Sequence, residues 1–307
     1  MFIRQLSYLI ALDKHKHFGR AAASCHVSQP ALSNALRDLE QELGITIVKR
    51  SRTFQGLTAE GERVIIWARH MLDSLSGLRQ EAELIKQIPA GHLTIGVIPT
   101  SVHAASHLGT AYRKSMPQLS QEILSLRTPT ILKRLKTQEL DLGLLYEKSV
   151  TDDDYDVLPL FTEIYVLVSS PQAAPLPYQI SWEEVGRLPL CLLSRDMRNR
   201  QMVDDIFQRL KITPDIVLET NALDILFAEA LSGRAYSIMP ISALLMEHRG
   251  YNIRLHRITP EHAEDVCLVR LKRRNQPPIS ELTWRFAETF DLQAILAQAA
   301  PGFVDNL

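Results

Sequence analysis

The sequence predicts an α/β protein in three parts: a small helical head that closes with a β-hairpin, one long helix, and a two-lobed body. Apolar residues recur at helical spacing throughout the head, and the long helix repeats them in alternating steps of four and three. In the body, short apolar strands alternate with amphipathic helices. The predicted boundaries are residues 1–58, 59–89 and 90–307, the last comprising a first lobe at 90–164 and 266–307 and a second lobe at 165–265.

Charge is distributed unevenly along the chain. Residues 1–58 hold eight Lys or Arg against four acids, a net charge of +4, although the whole chain carries −1. A basic head on a mildly acidic body is typical of a protein whose head meets phosphate groups. The sequence has no run of eighteen apolar residues and no basic leader followed by an apolar stretch, which predicts a cytoplasmic protein without a membrane partner.

The cysteines give no indication of a metal site. Cys25, Cys191 and Cys267 lie far apart and in apolar surroundings, which predicts buried free thiols. No cofactor and no metal ligand are predicted.

The head contains a recognisable pair of helices. Apolar spacing from Phe2 to Leu12 predicts a first helix that ends before Lys14. The segment from Phe18 through Val27 to Leu43 then reads as two helices joined by a tight turn, with Ser28 as the cap of the second. A strand over 45–48, a charged turn and a return at Gly56 predict a hairpin, so the head is predicted to be a winged helix-turn-helix.

The second helix of this pair is suited to reading DNA in the major groove, because its first turns present polar side chains outward. Asn34 favours adenine edges, and arginines at the wing and on the helix suit phosphates. The predicted DNA-binding residues are Ser28, Gln29, Pro30, Ser33, Asn34, Arg37, Arg50 and Arg52.

The long helix begins after Thr58, with acidic residues in its first turn. Its heptad seam predicts a dimer, since the rest of the helix is polar; packing of the seam against the chain's own body is the alternative. The seam consists of Val64, Ala68, Met71, Leu75, Leu78, Ala82 and Ile85.

The body is predicted to contain parallel βαβ units in two sets, joined by long apolar strands at 157–169 and 265–271, with a final helix over 279–294. Ligands of such folds bind where parallel strands end and helices begin. Hydroxyl and amide side chains at these positions, with an arginine, predict a site for a small carboxylate or other anion. The predicted effector-binding residues are Thr100, Ser101, Thr128, Thr130, Met197, Arg198, Asn199 and Asn221.

The segment from Phe18 to Gly61 resembles the signature of LysR-type transcriptional regulators. The matching phrases include Val27-Ser28-Gln29-Pro30-Ala31-Leu32-Ser33 and Leu57-Thr58-Ala59-Glu60-Gly61. The resemblance implies a winged helix-turn-helix, a linker helix and an effector domain like a two-lobed periplasmic binding protein. Two departures stand out: Ile47-Val48 replaces a common Leu-Phe, and Asn34 stands where a basic residue is frequent.

The same resemblance implies how such a protein works. It implies a transcriptional regulator, an activator or a repressor, that binds a promoter pseudo-palindrome in double-stranded DNA and responds to a small effector. It also implies that homodimers assemble into a homotetramer, with RNA polymerase as a candidate partner. The stretch from Arg195 to Gln201, with Glu219-Thr220-Asn221, also resembles regulators found beside formate dehydrogenase operons.

Other classes of function fit the sequence less well. A solute-binding protein without a DNA role is the alternative, although no signal peptide supports it. An enzyme is not predicted, because the scattered histidines form no HExxH motif and no nucleophile elbow is present. Peroxide sensors of this family carry a reactive cysteine where Met197 stands, and a thioether cannot supply a thiolate.

Overall fold

The computed structural model describes residues 2–50, 54–85, 91–244 and 253–299. The chain folds into two compact units. The first is formed mainly by residues 1–90, and the second by most of the rest of the chain. No helix among the described residues combines the length and the apolar character needed to cross a membrane.

The first unit begins with the predicted helical head. Its elements are α1 (Ile3–His15), α2 (Phe18–Ser24), α3 (Gln29–Leu43), β1 (Val48–Arg50) and β2 (Phe54–Leu57). Leu9, Leu12, Leu32 and Leu39 are fully buried where the three helices meet. The prediction that α1 ends before Lys14 is wrong. The helix continues to His15, and Lys16 then takes the left-handed conformation that ends it.

The first strand of the hairpin lies later than predicted. The segment 45–47 is irregular, and β1 starts only at Val48. The cause is Glu40 on α3, whose carboxylate accepts hydrogen bonds from the backbone N–H groups of Ile47 at 2.8 Å and Val48 at 2.9 Å. These backbone groups therefore find a side chain instead of a neighbouring strand.

The long helix, α4 (Ala59–Ile85), starts on a side-chain cap. The Thr58 hydroxyl accepts from Gly61 N at 2.9 Å and donates to Thr46 O at 2.6 Å. The same residue therefore ties the start of α4 to the segment that precedes the wing.

The predicted heptad seam divides between two environments. Val64 and Ala68 pack on the core of the head, which is neither a dimer seam nor the predicted alternative of packing on the body. Farther along, Trp67, Met71 and Leu78 are exposed by 70%, 47% and 67%. Offsets of four and seven residues place these three side chains on one face of the helix. On the described part of α4, these three side chains form an apolar stripe available to a partner, and it includes Trp67, which the predicted seam did not.

The second unit contains the remaining elements. The first lobe contributes β3 (Gly91–Val97), α5 (Val102–Ser115), β4 (Leu119–Ser125), α6 (Thr128–Lys136), β5 (Leu142–Tyr146), β6 (Tyr155–Ser169) and, late in the chain, β12 (Ala263–Leu271), α10 (Pro278–Thr289) and α11 (Leu292–Ala299). The second lobe contributes β7 (Gln179–Ser181), α7 (Trp182–Val185), β8 (Leu190–Leu193), α8 (Arg198–Arg209), β9 (Ile216–Thr220), α9 (Leu223–Ser232), β10 (Tyr236–Pro240) and β11 (Arg254–Thr259).

One sheet runs through both lobes in the order β4-β3-β5-β12-β6-β10-β8-β9. The strand pairs β3·β4, β3·β5, β8·β9 and β8·β10 are parallel, as expected for βαβ units. The long strand β6 pairs antiparallel with β12 in the first lobe and with β10 in the second. Parallel strands therefore end at the region where the lobes meet, which is where their helices begin.

Several short elements and one break differ from the sequence-based expectation. Strands β7 and β11 and the helix α7 were not predicted, because segments of three to six residues carry little periodic signal. The predicted helix over 279–294 is two helices, since the Asp291 carboxylate accepts from Ala294 N at 2.8 Å and starts a new one.

Candidate DNA-contact surface and effector cavity

The start of α3 is built as a helix N-terminus with an exposed polar face. Ser28 is its cap, and its hydroxyl accepts from Ala31 N at 3.3 Å. Pro30 fits the first turn, where a missing N–H costs nothing. The apolar residues Leu32, Leu36 and Leu39 are buried on the opposite face. The helix is therefore held by its apolar side and leaves its polar side free.

The structure brings most of the predicted DNA-contacting residues onto this free side. Five are exposed and Ser33 is half-buried; the exposed five are Ser28, Gln29, Pro30, Asn34 and Arg37. Arg52 lies outside the described residues. Arg50 is the last residue of β1. The common face arises because 30, 33, 34 and 37 follow helical spacing.

The second unit contains a cavity of about 350 Å³ between its lobes. Residues from the ends of β3, β4 and β5 meet the start of α8 there. The polar lining residues are Thr100, Arg127, Thr128, Tyr146, Lys148, Ser149, Asp196, Arg198, Asn199 and Gln201, and the apolar ones are Ile98, Pro99, Pro129, Leu132, Leu193 and Met197.

Hydrogen-bond donors around the cavity lack partners. Met197, at the cap position of α8, makes no side-chain cap hydrogen bond. The hydroxyl of Thr128, at the start of α6, is buried and has no hydrogen-bond partner among the described residues. Free backbone N–H groups and an unsatisfied hydroxyl at helix starts favour an anion, because the helix dipole adds positive potential at the same place.

Three cationic side chains line the cavity, and two of them have acidic partners. Arg127 forms an ion pair with Asp196 across the cavity. The Lys148 ammonium lies 3.0 Å from the Glu264 carboxylate. Arg198 has no acidic partner within ion-pair distance among the described residues, and its buried Nε makes no hydrogen bond. Arg198 is therefore the cation available to a ligand.

Behind the cavity wall, polar side chains form a buried chain. The Asn199 amide donates to the Tyr165 hydroxyl at 3.0 Å, and this hydroxyl lies 3.0 Å from that of Tyr146. The Tyr146 hydroxyl in turn lies 3.1 Å from the Thr100 hydroxyl. Burial raises the pKa of both tyrosines well above the usual value, so they remain neutral hydroxyls.

Five predicted effector-binding residues line this cavity: Thr100, Thr128, Met197, Arg198 and Asn199. Three others do not. Thr130 and Asn221 line a neighbouring cavity, which shares Pro99, Arg127, Asp196 and Met197 with the first. Ser101 is fully buried and lines neither. Successive side chains of a helical turn point about 100° apart, so the neighbours of Thr100 and Thr128 face elsewhere.

Several residues that line the cavity were not predicted, above all Tyr146 and Lys148. Tyr146 is the last residue of β5, a parallel strand, and Lys148 follows it. The rule that places ligands at the ends of parallel strands therefore applied to β5 as well. Asp196, which follows β8, could have been found in the same way.

Cys191 and Cys267 do not line the cavity. Cys25, in the head, is only half-buried, so the prediction of buried thiols is wrong for this residue. Cys191 and Cys267 are buried, and burial raises their pKa to about 11 and about 12. Thiolate is scarce at neutral pH when the pKa is this high. Among the described residues, no cluster of three or more His, Cys, Asp or Glu side chains is arranged to hold a metal ion.

The chain is similar to known bacterial regulators. It is 35% identical over 168 residues to the DNA-binding transcriptional dual regulator OxyR of Escherichia coli K12, which is 54% of this chain and 55% of that protein. The chain thus spans about half the length of that relative. It is 32% identical over 206 residues to the hydrogen peroxide-inducible genes activator of Haemophilus influenzae, or 67% of this chain and 65% of that protein.

Solved structures show the same fold over almost the whole chain. A cysteine-to-aspartate variant of full-length OxyR from Pseudomonas aeruginosa superposes with a TM-score of 0.75 at 26% identity, covering 96% of this chain and 97% of that one. CbnR, a LysR family transcriptional regulator, superposes with a TM-score of 0.68 at 21% identity, covering 94% and 98%. The second likeness supports the fold alone.

Family models match both parts of the chain. The model of bacterial regulatory helix-turn-helix proteins of the lysR family matches residues 3–62, and that of the LysR substrate binding domain matches residues 86–291. The alternative of a solute-binding protein without a DNA role is therefore wrong. The exposed helix α3, the wing and the cavity at the strand ends are the parts that these models describe, and the chain belongs to the LysR family of bacterial regulators.

Proposed function

We propose that the protein is a DNA-binding transcriptional regulator whose activity depends on a small anion bound between the lobes of its second unit. One observation carries the proposal. Among the described residues, Arg198 has no acidic partner, the start of α8 has no side-chain cap and the Thr128 hydroxyl has no hydrogen-bond partner, and all three meet in one cavity. The head of the same chain exposes a polar helix suited to the major groove.

The exposed residues of α3 favour separate roles, in which one residue contacts a base and another contacts a phosphate. Asn34 is exposed on α3 and carries both a donor and an acceptor, the pair that an adenine edge matches. Arg37 lies one turn farther along the same face and suits a phosphate. The first residue would then decide which sequence is bound, and the second how tightly any DNA is bound.

We expect Asn34→Ala to lower affinity for the operator by roughly tenfold or more while leaving binding to unrelated DNA unchanged, because one bidentate base contact provides about 1–3 kcal/mol of discrimination. Arg37→Ala should weaken binding to the operator fragment and to an unrelated DNA fragment alike, and it should make binding less dependent on salt. Fluorescence anisotropy with both fragments at several salt concentrations measures these effects. An Asn34→Ala protein that weakens equally on both fragments would contradict a base-reading role.

We also propose that the protein binds DNA as a homodimer that assembles further into a tetramer. The exposed stripe of Trp67, Met71 and Leu78 on α4 supports a partner helix, since large apolar side chains on one helix face are typical of coiled-coil seams. Two heads are needed to read a pseudo-palindrome. Native mass spectrometry of the same protein–DNA complexes should show an even number of chains, and one chain per fragment would refute the dimer.

The effector is proposed to be a carboxylate or another small anion. Three cations line the cavity against one acid, Asp196, and Arg198 lacks an acidic partner among the described residues. A guanidinium binds a carboxylate through two parallel hydrogen bonds, which provides orientation as well as affinity. Met197 and the apolar lining residues would contact the rest of a small molecule.

We expect at least one anion from a panel of mono- and dicarboxylates, phosphate and sulfate to raise the melting temperature of the full chain, because a ligand of the folded state stabilises it. Arg198→Ala should weaken that anion by about ten- to a hundredfold, the effect of losing charge-assisted hydrogen bonds. Arg195→Ala is the matched control, since Arg195 is 76% exposed and does not line the cavity. The proposal fails if no anion stabilises the protein, or if both variants bind it alike.

Sensing of peroxide through a cysteine has no support at the start of α8. Met197 occupies the cap position there, and a thioether cannot form a thiolate. The two buried thiols, Cys191 and Cys267, have raised pKa values that disfavour reaction with an oxidant. We therefore infer that this protein, although similar to hydrogen peroxide-inducible genes activators, responds to a ligand bound without covalent chemistry.

A further inference from the structure

Two buried carboxyl groups lie next to each other behind the cavity. Glu163 on β6 is directly opposite Glu264 on β12, and the two are 1% and 4% exposed. Side chains opposite one another on antiparallel strands have Cβ atoms about 5 Å apart. Because the two carboxyl groups are close together and shielded from water, ionisation of one disfavours ionisation of the other.

Only one of these two groups has a cationic partner, Lys148, among the described residues. Glu264 lies 3.0 Å from the Lys148 ammonium and 3.1 Å from His262 Nε2. Glu163 receives a hydrogen bond from the Ser242 hydroxyl, and its other oxygen, Oε1, has no hydrogen-bond partner in the part of the chain that the structure describes. The structure therefore leaves Glu163 as the member of the pair that would take a proton.

The titratable and polar groups around Glu163 come from several neighbouring elements. Tyr146 comes from β5, Tyr165 from β6 itself, and Glu264 from β12, with Lys148 and His262 beyond Glu264. The turn after β10 contributes the neutral Ser242. Helix α11, which packs on β6, contains no titratable residue. No cation contacts Glu163 directly among the described residues, so burial dominates and raises its pKa to about 7.

The charge of Glu163 lies behind the cavity wall. The Ser242 hydroxyl, which donates to the Glu163 carboxylate, also lies 3.5 Å from the backbone oxygen of Thr100, a lining residue. The charge of Glu163 also contributes to the raised pKa of Tyr146, another lining residue. A negative charge on Glu163 therefore repels an anion in the cavity.

Protonation of Glu163 removes this buried negative charge from behind the wall. An anion in the cavity then meets less repulsion, so protonation of Glu163 favours its binding.

We propose that Glu163 makes the cavity a proton-coupled anion site, in which an entering anion binds together with one proton that Glu163 takes up. The inference rests on the proposed function in that the ligand of the cavity is an anion. By linkage, the affinity for the anion falls as pH rises above the midpoint of Glu163 ionisation, at most tenfold for each pH unit.

A fixed anion in the cavity tests the coupling without knowledge of the effector. Met197→Asp introduces a carboxylate into the lining at the start of α8, and Met197→Asn is its neutral match. Each of these two variants is made in the full chain in two forms, one that keeps Glu163 and one that also carries Glu163→Gln. Infrared difference spectra between pH 5 and 9 follow the C=O band of protonated carboxyls, and the part lost with Glu163→Gln belongs to Glu163.

We expect the Glu163 band to titrate near neutral pH in the wild type, and at a pH higher by roughly half a unit to one unit in Met197→Asp than in Met197→Asn. Equal midpoints in these two variants, or no band that depends on Glu163, would overturn the proposal. If Met197→Asp does not fold, Thr128→Asp and Thr128→Asn form the second pair, since Thr128 lines the same cavity.

The outcome is separate from that of the anion screen. A protein that binds an anion through Arg198 but shows equal midpoints retains the proposed function and loses the proton coupling. A protein with shifted midpoints that binds none of the anions in the screen retains the coupling and loses the choice of effector class.

Discussion

Replacing Arg200 by methionine is expected to lower the free energy of unfolding by about 2–4 kcal/mol, because its guanidinium makes charge-assisted hydrogen bonds that a thioether cannot replace. The Arg200 side chain is buried. It donates to Asp204 Oδ1 at 2.7 Å, to Leu193 O at 2.7 Å and to Glu219 Oε1 at 3.1 Å. Methionine retains the apolar stem and much of the volume, so the loss reports on the hydrogen bonds rather than on a void.

Arg200 also holds the start of α8 against the ends of β8 and β9, through Leu193 and Glu219. We therefore expect Arg200→Met to weaken binding of any anion that stabilises the wild type, although Arg200 does not line the cavity. Urea unfolding of both proteins, with and without the anion, measures the two effects.

The matched control uses the same acidic partner. Arg195 is 76% exposed and lies 3.6 Å from Glu219. Exposed ion pairs contribute about 0–1 kcal/mol, so Arg195→Met should change stability little. A similar loss in both variants would mean that burial of the guanidinium does not decide its contribution. Arg200→Lys should lose less stability than Arg200→Met but more than Arg195→Met. An ammonium keeps the charge, but it cannot satisfy three acceptors arranged for a planar guanidinium.

Replacing Gly61 by alanine is expected to destabilise the head by roughly 1–3 kcal/mol, although alanine is the better helix former. A Cβ at Gly61 would lie 2.2 Å from the carbonyl oxygen of Ile47. This oxygen accepts from Thr58 N at 2.9 Å, so it cannot move without disturbing the junction between the wing and α4. Thermal unfolding and operator affinity should both fall.

Gly77→Ala on the same helix is the control for helix propensity. A Cβ there meets no described atom closer than 3.9 Å, so the change should stabilise the protein by about 0.5–1 kcal/mol. The two substitutions are chemically identical and lie on one helix. If Gly61→Ala proves as stable as Gly77→Ala, the close contact with Ile47 does not constrain the wing.

The sequence was most informative where the signal is local. Ser28 was predicted as a cap and its hydroxyl does cap α3. Thr58 was predicted to begin a capped helix, and its hydroxyl accepts from Gly61 N. Such features were predictable because a cap and the apolar face that follows it lie within a few residues of each other.

The sequence was less informative about which neighbour each element contacts. The heptad seam was read as one surface, but Ala68 packs on the head while Leu78 is exposed. Of the strand predicted at 45–48, only Val48 lies in a strand, because Glu40 supplies the partner for the backbone N–H groups of Ile47 and Val48. Periodicity describes a face of an element and does not state what covers it.

The residues of the effector site also divide into those that the sequence predicted and those that it did not. Position after a parallel strand predicted Thr100 and Thr128, and the polar start of α8 predicted Arg198 and Asn199; all four line the cavity. Their roles stay predictions. Tyr146 satisfied the same rule at the end of β5 and was overlooked.

The sequence by itself determined the three-part organisation, the helix-turn-helix and the chemistry offered at the strand ends, because each depends on residues close together in the chain. Only the tertiary structure decided that Glu163 lies opposite Glu264, that Arg200 is buried among three acceptors, and that Arg198 has no acidic partner among the described residues. These relations depend on strand register and on the burial of charge between distant segments. A pairing of this kind leaves no periodic mark in the sequence, since it arises only when the strands come together.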